Sequence, residues 1–186
     1  MQLTKKEQSY NQMLWISMIS MTMMFAGLTS AYIVSKKRED WVSFELPTAF
    51  YISTILIILS SITFFLAKRS IKADQRSKSV TFLAVTLVLG LGFVFFQFQG
   101  FKQLIDAGLY FTGTESNVSS SFLYVITLTH LIHIFAGILV LSFVLYKNTK
   151  GLYDAKNYQG MELGGIFWHF VDALWIYLFL FFYFIG

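Results

Sequence analysis

Five long segments that are apolar and almost free of charge constrain this chain more than any other feature. Four of them contain no charged residue, and the fifth contains only Asp172. A bilayer core about 30 Å thick is crossed by roughly 20 apolar residues in a helix, so each segment is long enough to span it. The runs are apolar on all sides, whereas a membrane barrel would show short alternating segments. The segments are residues 8–35, 46–67, 79–101, 116–146 and 163–186.

The sequence therefore predicts an all-α membrane protein, a five-transmembrane-helix bundle that forms a single membrane domain over residues 1–186. Only 13% of the residues are charged, against about a quarter in soluble domains. So little chain lies outside the apolar segments that the protein must act inside or along the membrane. The predicted helices occupy about 12–34, 47–67, 80–98, 121–146 and 163–186.

Basic residues are distributed unequally between the two sides that this topology defines. The side with the N-terminal tail and the second and fourth loops carries Lys5, Lys6, Lys68, Arg69, Lys72, Arg76, Lys78, Lys147, Lys150 and Lys156. The opposite side carries Lys36, Lys37, Arg38 and Lys102. The positive-inside rule then predicts a cytoplasmic N-terminus and a C-terminus outside. Topology accounts for the net charge of +4, so we expect no nucleic-acid partner.

The chain has no cysteine, which excludes disulfides, thiolate catalysis and zinc–cysteine sites. No nucleophile is paired with a base, so no catalytic residue is assigned. The methionines at the start of helix 1 are interpreted as lipid-facing or packing residues rather than a metal site, because thioethers adapt to irregular gaps. They are Met13, Met18, Met21, Met23 and Met24.

Ionisable side chains at membrane depth are the first candidates for function, because an Asp at mid-bilayer costs roughly 2.5–3.5 kcal/mol on the insertion scale. They are His130 and His133 in helix 4, and His169 and Asp172 in helix 5, with Glu162 at the start of helix 5. Residues seven apart share a helix face and residues three apart are neighbours. Glu162, His169 and Asp172 therefore lie along one side of helix 5.

Aromatic and small residues accompany these polar groups. Trp168 and Trp175, seven apart, form a second stripe on helix 5, and Gly137 continues the stripe of His130 and His133 on helix 4. Glycines at 90 and 92 in helix 3 are expected to allow close approach by a neighbouring helix.

Three interpretations of the polar residues are open. Haem ligation by histidines is disfavoured because helix 5 offers a single imidazole. A proton relay could run through Glu162, His169 and Asp172. We prefer hydrogen bonds that fix the packing of helices 4 and 5, with Asp172 and His169 as structural partners. On that view Asp172→Asn is tolerated, whereas Asp172→Leu loosens the protein because His169 loses its partner.

Helix 5 also carries a family resemblance. Residues 162–175 read Glu-Leu-Gly-Gly-Ile-Phe-Trp-His-Phe-Val-Asp-Ala-Leu-Trp and resemble the C-terminal signature of subunit III of the haem–copper oxidases. Residues 129–137, Thr-His-Leu-Ile-His-Ile-Phe-Ala-Gly, resemble its preceding helix. Residues 25–27, Phe-Ala-Gly, and Gln97 are weaker similarities. The resemblance covers essentially the whole chain.

Members of this family have seven helices or five, and this chain resembles the five-helix bacterial form, whose N-in, C-out topology agrees with the charge distribution. One departure concerns helix 1. The longer members carry a buried Glu six residues before the glycine, where this chain has Met21. A proton-related role of that carboxylate is therefore not transferred to this chain.

The resemblance implies an accessory, non-catalytic subunit of a proton-translocating oxidoreductase in the bacterial cytoplasmic (inner) membrane. Such a subunit stabilises subunit I and supports proton uptake in aerobic respiration, with haem and copper held by subunits I and II and no cofactor or metal of its own. Phospholipids and a cytochrome bc-type respiratory supercomplex are further implied partners. Cytochrome c oxidase is the first choice among the complexes.

The alternatives are a quinol oxidase, a relative associated with nitric oxide reductases, and an independent proton-coupled transporter. A transporter is disfavoured because such folds commonly show internal repeats and broken helices, and neither is visible in the sequence.

Overall fold

The computed structural model describes residues 5–39, 41, 44–113, 116–155 and 157–186, without the side chains of residues 6 and 7. Within this part of the chain the backbone forms five α-helices and no strand. They are α1 (Lys5–Ser35), α2 (Thr48–Lys72), α3 (Arg76–Asp106), α4 (Val118–Thr149) and α5 (Gln159–Ile185).

All five helices are long and apolar enough to cross a membrane, which confirms the predicted all-α membrane bundle. The side on which each terminus lies stays a prediction. Lys156, one of the basic residues that support it, lies outside the described residues, as does the side chain of Lys6.

Each helix extends beyond its predicted bounds at one or both ends, because backbone hydrogen bonding continues into polar residues whose long side chains reach water. Helix α2 begins one residue later than predicted. Pro47 precedes it as the N-cap, with φ −55° and ψ 139°, and its carbonyl accepts a hydrogen bond from the Phe50 amide at 3.0 Å. Proline suits the start of a helix because no intrahelical partner is lost there.

Helix α5 lies at the centre of the arrangement, in contact with α1, α2 and α4. Helices α2 and α3 form the most extensive pair, and α3 also packs against α4. Helix α1 contacts α4 and α5, and within the described residues it does not contact α2 or α3. Helix α5 therefore lies between α1 and α2, and α4 lies between α1 and α3.

Polar contacts join the helices near their ends. Arg76 at the start of α3 donates from Nε to the carbonyl of Asn148 near the end of α4 at 2.9 Å, which satisfies a carbonyl that the helix end leaves free. At the opposite membrane face, the Lys36 Nζ donates to the carbonyl of Ile185 at 2.6 Å. These contacts fix the relative heights of the helices.

The methionines of α1 divide between two environments. Met18 and Met21 are buried in the bundle, whereas Met13, Met23 and Met24 are exposed on its outer face. Both roles expected from the sequence, packing and lipid-facing, occur. The position where longer family members carry a glutamate is thus an apolar core position here.

Candidate functional site at the α5 interface

The two tryptophans of α5 are buried and hydrogen-bonded to α2. Trp168 donates from Nε1 to the Ser60 hydroxyl at 2.9 Å, and Trp175 donates from Nε1 to the Thr54 hydroxyl at 3.0 Å. An indole N–H that is buried in a membrane protein needs such a partner. The tryptophan stripe therefore faces α2 and joins the two helices at two heights.

The Trp168 indole also fills the space that two glycines leave. A Cβ on Gly90 of α3 would lie 2.9 Å from its Cη2, and a Cβ on Gly137 of α4 would lie 3.1 Å from its Cε3. Both distances are shorter than ordinary carbon–carbon contacts, so a side chain at position 90 would force the ring to shift, and one at position 137 would fit only if the ring moved by a few tenths of an ångström. One α5 side chain thus contacts α2, α3 and α4. Gly92, by contrast, has only an ordinary contact with Leu56.

His169 is half-buried at the boundary between α5 and α2. Its Nδ1 and the Ser61 hydroxyl of α2 form a hydrogen bond of 2.6 Å, and its ring meets the edge of Phe64 with centroids 5.6 Å apart. The predicted partner, Asp172, is not the group that His169 binds. That expectation was wrong because the neighbouring helix places a hydroxyl closer to the imidazole than the carboxyl one turn along α5.

Asp172 is 2% exposed. Ser61 lies within reach of its carboxyl, but neither carboxyl oxygen forms a hydrogen bond of good geometry with the described residues. A buried polar group without such a bond is costly. The carboxyl therefore adds no hydrogen bond that holds the helices together.

The helix 4 histidines interact through their rings. His130 is 1% exposed and stacks on Trp175 with centroids 5.3 Å apart and an interplanar angle of 29°. Neither of its nitrogens has a hydrogen-bond partner among the described residues. His133 donates from Nδ1 to the Thr129 carbonyl of its own helix at 2.7 Å, and its ring meets Phe25 of α1.

Glu162 forms an ion pair with Lys68 of α2, with Nζ and Oε1 2.7 Å apart. The hydrogen-bonding side chains of the α5 signature therefore bind α2, and the expected polar link between helices 4 and 5 was wrong. Helix α4 meets α5 through Gly137 and the His130 ring instead.

Sequence reasoning missed the hydroxyl groups of α2. Thr54 and Ser60, which accept from Trp175 and Trp168, are six residues apart in an apolar run, and Ser61, which binds His169, follows directly. The hydroxyl side chains within this apolar run were the available signal. The buried Gln97 of α3, noted only as a weak similarity, donates to Ser53 of α2 at 3.0 Å.

Across the part of the chain that the structure describes, no three His, Asp or Glu side chains come together as a possible metal site. Fold and site together define a multi-pass α-helical membrane protein.

Comparison with known proteins identifies the family. The family Cytochrome c oxidase subunit III matches residues 5–186. Cytochrome c oxidase subunit 3 of Thermostichus vulcanus is 32% identical over 174 residues, which cover 89% of this chain and 82% of that protein. The chain belongs to the cytochrome c oxidase subunit III family, which confirms the resemblance seen in the sequence.

Two further relatives are named as subunits of different oxidases, one a cytochrome c oxidase and the other a ubiquinol oxidase. Cytochrome c oxidase subunit 3 of Bacillus subtilis (strain 168) is 28% identical over 179 residues, 92% of this chain and 84% of that protein. Cytochrome bo(3) ubiquinol oxidase subunit 3 of Buchnera aphidicola subsp. Acyrthosiphon pisum is 28% identical over 178 residues, 93% of this chain and 85% of that protein.

Proposed function

We propose that this chain is the accessory subunit III of a bacterial haem–copper terminal oxidase, which stabilises subunit I and supports its proton uptake in aerobic respiration. The observation that carries the proposal is the family match over residues 5–186. The geometry supports it, because the residues of the family signature hold helices together: Trp168, His169 and Trp175 bind hydroxyls of α2. Haem and copper then belong to the partner subunits I and II.

Co-purification tests this proposal. An affinity tag on the chain, with extraction in a mild detergent, should recover the core subunits together with their haem absorption. Stripping the complex in a harsher detergent should leave the tagged chain without a haem band. Recovery of the chain without any haem–copper core subunit would contradict the proposal.

The electron donor is proposed to be cytochrome c, in line with the names of the relatives in Thermostichus vulcanus and Bacillus subtilis. The ubiquinol oxidase relative in Buchnera aphidicola supports quinol as the second candidate. Oxygen uptake by the purified complex with reduced cytochrome c, compared with uptake with a short-chain quinol, separates the two. Activity with quinol alone would instead support a subunit of a quinol oxidase.

We further propose that the chain is a single membrane domain in the cytoplasmic (inner) membrane, with its N-terminus in the cytoplasm. The excess of Lys and Arg on the side of the N-terminal tail supports this orientation. A reporter that is active only in the cytoplasm should work when it is fused to the N-terminus and fail at the C-terminus.

Association with a cytochrome bc-type supercomplex is a further proposal, which native gel electrophoresis of mildly solubilised membranes tests.

A groove between α1, α4 and α5 is proposed to hold a phospholipid. It encloses about 430 Å³, and its walls include Leu14, Val140 and Phe167. Lys147 lies at its end with Nζ 4.5 Å above the Phe143 ring, on the side assigned to the cytoplasm. An apolar groove with a lysine at the membrane surface suits an acyl chain and an anionic headgroup.

Lipid retention tests this groove. Lys147→Ala should reduce the anionic phospholipid that remains bound to the purified complex, as measured by native mass spectrometry. The matched control is Lys150→Ala, because Lys150 lies over Tyr146 and does not line the groove. Equal retention in the two variants would contradict the assignment.

A further inference from the structure

Helix α5 is exposed between two helices that do not meet. Helices α1 and α2 both pack against α5, but within the described residues they make no contact with each other. On this strip Ala173 and Tyr177 are exposed and His169 is half-exposed. We call the surface of His169, Ala173 and Tyr177, flanked by Thr29 of α1 and Ser61 of α2, the α5 trough.

Hydrogen bonds to the two flanking helices lie at the ends of this strip. The Tyr177 hydroxyl and the buried Thr29 Oγ1 of α1 lie 3.2 Å apart, and Ser61 of α2 binds His169. The exposed side chains of the strip that carry polar groups are therefore Tyr177 and His169. The small side chain of Ala173 lies on the same face between them and allows close approach.

The outer faces of α3 and α4 differ in chemistry, although His133 of α4 is also half-exposed, beside Phe25 of α1. The exposed large side chains in the middle of α3 and α4 are hydrocarbon: Val85, Val88, Leu91, Phe95, Ile132, Phe135, Leu139 and Phe143. Such surfaces suit lipid tails. A half-exposed imidazole does not, because polar groups that face hydrocarbon are costly and usually face protein.

His169 has hydrogen-bonding capacity left over. Ser61 occupies its Nδ1, and within the described residues no hydrogen bond to its Nε2 is formed. In lipid this nitrogen would stay unsatisfied. Interfaces between membrane helices commonly combine such polar side chains with small residues that allow close approach, and the trough has both.

We propose that the α5 trough is the docking surface for a transmembrane helix of the haem–copper core subunit, and that this helix supplies a hydrogen-bonding side chain to His169. The inference rests on the proposed function, which provides the partner. A lipid tail offers no hydrogen bond to the imidazole. A second copy of this chain, docked through the same surface on both subunits, is the competing occupant that crosslinking distinguishes.

Site-specific photo-crosslinking tests the proposal. A short diazirine-bearing amino acid in place of Ala173 reports on the trough, and the same amino acid in place of Ile132 is the matched control. Ile132 is 66% exposed and lies at a similar depth, because His130 contacts Trp175 and Gly137 contacts Trp168. The assembled oxidase is illuminated, and the crosslinked partners are identified by mass spectrometry.

We expect the photoreactive group at position 173 to join the chain to the core subunit, and the group at position 132 to form no crosslink to protein. No crosslink from position 173, crosslinks to the core subunit from both positions, or a crosslink to a second copy of this chain would overturn the inference. The core subunit co-purifies in all of these cases, so the proposed function stands. Absence of the core subunit from the preparation contradicts the proposed function itself.

Discussion

Helices α5 and α1 both cross the membrane, but they join the bundle by different means. Three α5 side chains hydrogen-bond to hydroxyls of α2. Within the described residues at membrane depth, α1 forms one side-chain hydrogen bond to another helix, between Thr29 and Tyr177. Glycines differ in the same way: a Cβ on Gly27 of α1 would meet nothing within 4 Å, whereas one on Gly90 would strike Trp168.

This difference shows where the sequence of the protein is restricted by geometry. Around α5, hydrogen-bonding and small side chains must lie at the same membrane depth as their partners on neighbouring helices. Few residues can therefore replace Trp168 or Gly137. Around α1, packing of Phe25 and Tyr32 into the core suffices, and much of the helix surface is open to other contacts. The residues that carry the family signature lie in the first of these regions.

The largest expected effect comes from filling the space of the Trp168 ring. Gly90→Ala places a methyl group 2.9 Å from a rigid indole, and such overpacking costs about 1–3 kcal/mol. In the purified oxidase, the temperature at which this chain unfolds and aggregates should be lower for the variant than for the wild type. Gly27→Ala, in open space on α1, is the control and should change stability by less than about 0.5 kcal/mol. Equal losses in the two variants would remove the contrast between the helices.

A smaller loss is expected when one α5–α2 bond is removed. Thr54→Val removes the acceptor of the Trp175 Nε1 donor with little change in side-chain shape, and interhelical hydrogen bonds in membranes are worth about 0.6 kcal/mol on average. The same thermal measurement on Thr29→Val, which removes the α1 bond to Tyr177, provides the comparison. A larger loss in Thr29→Val would reverse the ranking of the two helices.

The smallest effect is expected at Asp172. His169 binds Ser61 and not this carboxyl, so Asp172→Leu does not orphan the imidazole, contrary to the expectation from sequence. A buried polar group without a good hydrogen bond costs about 1–3 kcal/mol, so replacing it with an apolar side chain is expected to be neutral or stabilising. Asp172→Asn is the matched variant, and subunit retention and proton-pumping stoichiometry should stay close to wild type in both. Loss of pumping in both fully assembled variants would assign Asp172 to a proton path.

The sequence alone determined the five membrane helices, because about 20 apolar residues without charge have no other stable environment than a bilayer. It also determined the family, since the string from Glu162 to Trp175 is specific enough to recognise. The approximate positions of the helices followed from the charge-free runs. The exact ends did not, because a helix continues into polar residues at the membrane surface.

Only the tertiary structure decided which groups meet. Spacing along α5 placed Asp172 beside His169, and yet the imidazole binds Ser61, because the choice between two hydrogen-bond partners depends on how α2 and α5 are rotated and shifted against each other. The same is true of Gly90 and Gly137, whose shared contact is Trp168 on a third helix. Periodicity shows which residues share a face of one helix, but it holds no information about the helix that the face meets.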